Sequence, residues 1–289
     1  MIARKSIGVL FVSLLLASGL QAAEDATSNT ALRTAIDARS AEEKARDGAR
    51  HPYETLTFFQ VEPGMTVAET LPGSGWYTNI LANYLGGDGA LYGINYPERM
   101  WALFPNATPE WIDQRKATTA RFPDMVSGFT DNGIETAGFT FNTVPPELAG
   151  TVDRVLLIRA LHNLNRFESE AGTRSQALAA VRSLLKDDGL VGVVQHRAPA
   201  SDTESGTAGS RGYLEEADVI MFFEMAGFEL VATNEINANP ADIPGPDDIV
   251  WRLPPSLSTS KDDPELKTRM EAIGESDRMT LLFKKAPQE

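Results

Sequence analysis

The chain of 289 residues carries 26 Lys and Arg against 40 Asp and Glu, which gives a formal net charge of −14 at pH 7. Such a surface repels phosphate backbones, whose binding depends on neutralisation by Lys and Arg, so we expect neither nucleic acid nor an anionic membrane face as a partner. The absence of Cys excludes disulfides, thiolate metal sites and a cysteine nucleophile. With 42% hydrophobic residues, the composition is that of a globular protein.

The N-terminus has the three-part pattern of a cleaved export signal, predicted over residues 1–23. Arg4 and Lys5 form a short basic region, an apolar run follows, and Ala22 and Ala23 precede the first acidic residues. Because the run is shorter than the ~20 residues that span a bilayer, the pattern favours cleavage over a membrane anchor. We therefore expect a mature periplasmic or secreted protein without stable membrane insertion.

The rest of the chain alternates between strand-like and helix-like segments, after an N-terminal helical segment that includes a helix over 31–48 and a shorter one over 52–59. Apolar runs predict strands over 66–70, 90–94, 152–158, 189–194, 228–232 and 279–283. Periodicity and capping residues predict helices over 76–85, 108–122, 174–185 and 214–225. This order predicts one α/β domain over 24–289, with an open, mostly parallel sheet and helices on both faces.

Three long insertions interrupt the alternation, at 97–122, 199–213 and 234–263. Loops of this length in a compact domain are usually functional or disordered. The first insertion contains Trp101 and Trp111 within an aromatic segment whose spacing indicates packing against the sheet. If the segment is exposed, it would instead form an apolar lid over a substrate site.

The strand at 66–70 runs directly into the loop Pro72-Gly73-Ser74-Gly75. Ligands of open α/β sheets bind beyond the carboxyl ends of the strands, where glycines let a ligand approach the backbone and the next helix offers free N–H groups. Thr78 stands at the third glycine position of a dinucleotide motif, and no Gly-Lys-Ser/Thr follows for a P-loop. The G-x-S-x-G elbow of serine hydrolases is also missing.

The serial order of these segments resembles the class I S-adenosylmethionine-dependent methyltransferases, over roughly residues 50–285. Residues 63–75 (PGMTVAETLPGSG) look like the first motif of that family, an acidic residue followed by G-x-G-x-G. Residues 89–95 are similar to its second strand, and residues 152–163 to its fourth strand and the end that faces the substrate. More narrowly, the chain resembles a bacterial group of exported methyltransferase-like proteins.

The resemblance implies a Rossmann-like doubly wound fold with an antiparallel last strand, and S-adenosylmethionine as the cofactor. It implies that the cofactor is bound by Glu69, Gly73, Ser74, Gly75 and Asn95. Two positions depart from the family pattern. Leu71 stands where the first motif glycine is expected, and Asn95 replaces the acid that holds the ribose hydroxyls, so that contact would be a neutral hydrogen bond.

His162 follows the strand at 152–158 and is the candidate catalytic residue. An imidazole of ordinary pKa suits proton removal from an acceptor, whereas a hydrogen-bonded structural histidine is the alternative. Methyl transfer depends mainly on proximity and alignment, so a base is not a requirement. His196 and Arg197 follow the strand at 189–194, and Arg197 could hold an anionic substrate group or form a salt bridge at the rim. No motif for a metal site is present, so we predict none.

The leading hypothesis is methyl transfer from S-adenosylmethionine to a small-molecule acceptor. The alternative is an exported, non-catalytic small-molecule-binding protein that retains the fold, since S-adenosylmethionine is made in the cytosol and the signal directs the chain outwards. A nicotinamide-dependent oxidoreductase is disfavoured, because the third glycine and the ribose acid are both missing.

Overall fold

The computed structural model describes residues 27–199 and 208–287. The export signal predicted at 1–23 and most of the insertion at 199–213 therefore lie outside the described residues. Within the described ranges, no helix is both long and apolar enough to cross a membrane.

A single sheet organises the described part of the chain. Its seven strands are β1 (Thr66–Thr70), β2 (Ala90–Asn95), β3 (Glu135–Thr140), β4 (Val152–Ile158), β5 (Leu185–His196), β6 (Phe228–Asn234) and β7 (Arg278–Lys285). Their spatial order is β3-β2-β1-β4-β5-β7-β6, and β7 runs antiparallel to both of its neighbours. The first five strands pair in parallel, and the order reverses direction between β1 and β4. The predicted Rossmann-like doubly wound α/β sheet, with its antiparallel last strand, is confirmed.

Helices cover both faces of this sheet. Those in the described residues are α1 (27–37), α2 (Ala41–Lys44), α3 (Asp47–Arg50), α4 (Pro52–Phe58), α5 (Trp76–Leu85), α6 (Pro109–Ala120), α7 (Phe122–Ser127), α8 (Leu161–Arg166), α9 (Glu168–Ala171), α10 (Thr173–Leu184), α11 (Glu216–Met225) and α12 (Pro264–Ile273). Short 3₁₀ turns lie at Glu98–Leu103, Pro146–Leu148 and Val250–Arg252.

The apolar run of β4 supplies two separate cores, because successive side chains of a strand point to opposite faces. Val155 and Leu157 pack in one core with residues of α8, α10 and α11. Leu156 and Ile158 pack in the other, with residues of α1, α4, α5 and α7. A central strand buried on both faces therefore reads as continuous hydrophobic sequence.

Two sequence predictions need correction. The single helix predicted over 31–48 is wrong, since the chain forms α1, α2 and α3 instead. Ser40 begins a new helix there, because its hydroxyl accepts from the Glu43 N–H while the Glu43 carboxylate accepts from the Ser40 N–H. Strand β3 was not predicted, since its sequence ETAGFT has little apolar character and it lies at the edge of the sheet.

Substitution of Gly192 in β5 tests how Phe59, the residue after α4, packs on the sheet. A Cβ at this position would lie 2.5 to 2.7 Å from ring atoms of the fully buried Phe59. We expect Gly192→Ala to lower the free energy of unfolding by about 1–3 kcal/mol through overpacking. Urea denaturation measures this as a lower midpoint with an unchanged m-value.

The matched control is Gly48→Ala in α3, where nothing lies within 4 Å of the added carbon. It should be neutral or should stabilise the chain by up to about 1 kcal/mol, since Ala has the higher helix propensity. Equal effects of the two substitutions would contradict this packing.

Candidate active site

A cavity of about 640 Å³ opens at the carboxyl ends of β1, β2, β4 and β5. Leu71, Tyr96 and Arg159 directly follow β1, β2 and β4, and His196 is the last residue of β5. All four line the cavity. The volume lies in the range of small-molecule sites, and the position is the switch point at which open α/β sheets bind their ligands. The residues predicted from the sequence can be placed relative to this cavity.

The loop after β1 forms one wall of the cavity through Leu71, Gly73 and Ser74. Gly73 has φ +63°, and a Cβ there would meet only the Leu71 carbonyl oxygen, at 3.8 Å, so its open side faces free space. Leu71 also adopts the left-handed region, with φ +52°. Leu71 therefore adopts a left-handed backbone conformation that glycine would adopt freely. The same conformation is strained in a leucine.

Glu69 and Gly75 lie outside the cavity lining. Glu69 is 4% exposed and accepts a hydrogen bond from the Thr78 hydroxyl at 2.6 Å. Burial raises the pKa of Glu69 to about 7, against the Thr78 hydrogen bond that lowers it. A Cβ at Gly75 would lie 2.8 to 2.9 Å from side-chain atoms of Phe129 and Met125, so this glycine allows packing around the start of α5.

Asn95 ends β2 beside a separate recess of about 50 Å³. Its amide donates to the Thr118 hydroxyl at 3.1 Å. The recess has room for about one or two water molecules, and it shares Leu71, Gly73 and Trp101 with the large cavity. The contact between Asn95 and a ribose stays a prediction.

His162 lies in the first turn of α8 and lines the cavity. Its Nδ1 and its backbone N–H both lie 3.3 Å from Oε1 of Gln195. The Gln195 amide group donates to the carbonyls of Gly212 and His196, so the other end of the side chain must be the acceptor oxygen. His162 therefore carries its proton on Nδ1 and its lone pair on Nε2.

The environment makes His162 a weaker base than its residue type suggests. Burial lowers its pKa to about 4, so the ring is neutral at pH 7. His196 lies beside it, with ring centroids 5.6 Å apart, and its Nδ1 is 2.6 Å from the Ser276 hydroxyl. Burial and the neighbouring His162 also hold the pKa of His196 well below its usual value.

Arg197 lies outside the lining and forms the salt bridge that was one of its two predicted roles. Its guanidinium lies 2.9 Å from Glu235, 3.2 Å from Glu216 and 3.8 Å from Asp277. The aromatic segment of the first insertion packs into the core, as its spacing predicted, and does not form an exposed lid. Trp101 is buried against the sheet, yet it also lines the cavity, in ring contact with Trp111.

Sequence reasoning missed the cationic residues of the cavity. These lining arginines are Arg46, Arg50, Arg115, Arg159 and Arg166. A signal for Arg159 was present, since it directly follows a central strand as Leu71 does. The others lie in helices or, for Arg46, in the turn between α2 and α3, and only the tertiary fold brings them to this edge. In the residues that the structure describes, no group of His, Asp and Glu is arranged to hold a metal ion.

No protein-family model matches the chain, and no curated protein matches it in sequence. Among solved structures, it is similar to a SAM-dependent methyltransferase from Aquifex aeolicus, with 21% identity and a TM-score of 0.45 over 67% of this chain and 87% of that one. It is also similar to the 1,6-didemethyltoxoflavin-N1-methyltransferase of Burkholderia thailandensis, with bound S-adenosylhomocysteine (11% identity, TM-score 0.43, 99% of this chain and 94% of that one). A third is the [4+2]-cyclase SpnF (13% identity, TM-score 0.48, 83% and 81%). At these identities the likeness concerns the fold alone.

The raised pKa of Glu69 predicts how stability changes with pH. Because the folded pKa of about 7 exceeds the ordinary value of 4.5, the stability associated with its protonation is complete at low pH and is lost as pH rises through 7. Glu69→Gln keeps the acceptor for Thr78 but cannot ionise. We expect it to stabilise the chain by roughly 2 kcal/mol more at pH 8.5 than at pH 5, measured by urea denaturation.

Titration of His162 and His196 is common to both proteins and cancels in the difference. Glu62→Gln, at an exposed position just before β1, gives the baseline for removing one negative charge. A pH-independent difference between Glu69→Gln and the unsubstituted chain would show that Glu69 is ionised in the folded state throughout this range.

Proposed function

We propose that the chain is an S-adenosylmethionine-dependent methyltransferase that acts on a small-molecule acceptor. The observation that carries the proposal is the placement of Gly73, Ser74 and His162 around one cavity at the switch point of the sheet. The acidic surface outside the cavity argues against nucleic acid as the acceptor.

The loop after β1 fits the amino-acid end of the cofactor. Gly73 leaves open the space that a side chain would fill, so a ligand can approach the backbone beside Ser74. Gly75 and Glu69 support the loop from behind, through the start of α5 and through Thr78. In this proposal Asn95 meets the ribose through the recess that adjoins Gly73.

When bound beside Gly73 and Ser74, the cofactor would supply an electrophilic methyl group on its sulfonium sulfur for an acceptor lone pair, with neutral S-adenosylhomocysteine as the leaving group. His162 can take the acceptor proton on Nε2, because Gln195 holds the other ring nitrogen protonated. Its lowered pKa keeps the ring neutral and thus able to accept a proton across the physiological range. The aromatic wall that includes Trp101 and Phe104 limits access of water and orients the acceptor.

We also propose that the chain acts outside the cytoplasm, on the basis of the signal pattern over 1–23. Export of an unfolded chain would remove any cofactor bound in the cytosol. Activity in that compartment would therefore require either folded export or S-adenosylmethionine that reaches the protein from outside.

A second candidate function is an exported small-molecule-binding protein without methyl transfer. One observation favours it: Leu71 occupies the position of the first motif glycine and projects into the lining of both the cavity and the recess. The Leu71 side chain fills space in the cavity that a glycine at this position would leave open. Binding of the cofactor separates the two candidates.

The test is calorimetric titration of S-adenosylmethionine and S-adenosylhomocysteine into the chain from Glu24 onwards. We expect micromolar binding, equivalent to about −8 kcal/mol, and its loss in Gly73→Val, because the valine side chain would fill the loop wall of the cavity.

Gly64→Val is the matched control, since Gly64 also has positive φ, at +78°, with nothing within 4 Å, but lies in the turn before β1. It imposes similar backbone strain and should leave binding intact. If millimolar ligand gives no heat with protein shown to be folded by circular dichroism, the methyltransferase proposal fails and the binding protein is favoured.

A further inference from the structure

The charges that face the cavity are strongly unbalanced. Five arginines line it, whereas Glu275 is the only carboxylate among the described lining residues, in a chain whose formal net charge is −14. Both lining histidines are neutral at pH 7. The cavity is thus a concentrated positive region within an acidic protein.

Glu275 cannot neutralise this excess, because three guanidinium groups already share it. Its carboxylate lies 2.6 Å from Arg46, 3.5 Å from Arg50 and 3.2 Å from Arg278, which packs behind the cavity. Arg50 is 3% exposed, and its Nε faces the Glu275 carboxylate at 3.5 Å without a hydrogen bond. Because Glu275 is shared among three arginines, it neutralises the Arg50 guanidinium only in part, and the remaining charge can attract an anion in the cavity.

Arg115 and Arg166 lie over aromatic rings, whereas Arg159 makes no cation–π contact in the described residues. In the described part of the chain, its guanidinium makes no hydrogen bond or close ion pair, and the nearest charges include Arg278 and Arg46 as well as Glu275. Its backbone has φ +58° directly after β4, and its N–H donates to the Val194 carbonyl at 2.7 Å. This backbone conformation determines the direction in which the Arg159 side chain leaves the end of β4. Strained conformations of this kind are common at functional sites.

Water does not fully solvate the positive charges of Arg50 and Arg159, because both side chains are largely buried. An exposed arginine needs no partner, but burial and repulsion by neighbouring arginines disfavour the charged form here. They lower the pKa of Arg50 to about 9 and that of Arg159 to about 10, so both groups still carry their charge at pH 7. A group with negative charge inside the cavity would relieve desolvation and repulsion together.

We propose that Arg159 and Arg50 form the centre of an anion subsite, which binds a phosphate or carboxylate group of the small molecule that occupies the cavity. Guanidinium groups pair with both anions through two parallel hydrogen bonds. The aromatic residues Trp101, Phe104 and Trp251 line the same cavity and suit a flat, apolar body attached to that anion.

That the anion belongs to the methyl acceptor rests on the proposed function. S-adenosylmethionine itself carries a net positive charge, from its sulfonium and ammonium groups against one carboxylate. An acceptor with two negative charges would neutralise both the arginines and the cofactor, so each should strengthen binding of the other.

The experiment uses phenyl phosphate, a dianion on an aromatic ring, with phthalate as the carboxylate probe and phenol as the neutral one. Titrations into the chain from Glu24 onwards are performed without S-adenosylmethionine. We expect phenyl phosphate or phthalate to bind at submillimolar concentration, and phenol not to bind. Arg159→Gln should weaken anion binding by at least about tenfold, since it removes a charge-assisted hydrogen bond.

Arg269→Gln, on the exposed face of α12, makes the same charge change outside the cavity and should alter affinity by less than about twofold at 0.15 M salt. Arg159→Gly is a second variant that removes the guanidinium without destabilising the fold, so a loss of binding cannot be attributed to misfolding. Glycine adopts the left-handed backbone freely, so this variant should raise Tm by about 2 °C while it loses the anion.

Equal weakening by Arg159→Gln and Arg269→Gln, equal binding of phenol, or no binding of either anion to folded protein would each overturn the subsite. Because these titrations contain no cofactor, they are independent of methyl transfer. A chain that binds phenyl phosphate but not S-adenosylmethionine would support the subsite and contradict the proposed function.

Discussion

The architecture of the cavity depends on one carboxylate, that of Glu275, which three arginines share. Arg46 lies in the turn between α2 and α3, Arg50 ends α3, and Arg278 is the first residue of β7. This cluster ties the N-terminal segment to the far half of the sheet and closes one side of the cavity. A buried carboxylate in such a position is worth more to specific assembly than to net stability, because desolvation offsets much of the attraction. The same cluster leaves an excess of positive charge, which gives the cavity its chemical character.

Two of the five non-glycine residues with positive φ in the described chain lie at the same edge of the sheet. Leu71 and Arg159 directly follow β1 and β4, the two strands between which the sheet order reverses, and both have positive φ without being glycine. Each of these conformations costs about 1–2 kcal/mol for a residue with a side chain. The fold therefore places a leucine and an arginine where glycine would be more stable, on either side of the switch point. In the proposed function, Leu71 shapes the donor side and Arg159 binds the acceptor.

The sequence contains most of the information for the sheet and little of that for the cavity. β1, β2 and β4 are predictable because strands buried on both faces carry apolar runs, such as 155–158 in β4, and the glycine loop is predictable because it follows β1 directly. The division of the N-terminal helix could have been found from Ser40 and Glu43, which form a capping box. The convergence of Arg46, Arg166 and Glu275 could not, since these residues are far apart in sequence and meet only through tertiary packing. The lowered pKa of His162 likewise depends on its burial in the folded chain.

We propose that one cavity holds both a methyl donor beside the glycine loop and an anionic acceptor beside Arg159. The most direct measurement is a crystal structure of the chain grown with S-adenosylhomocysteine and phenyl phosphate. We expect electron density for S-adenosylhomocysteine against Gly73 and Ser74, with the phosphate in hydrogen-bond contact with the Arg159 guanidinium. Density for either compound only on the outer surface, or an empty cavity at saturating concentrations of both, would contradict the proposal.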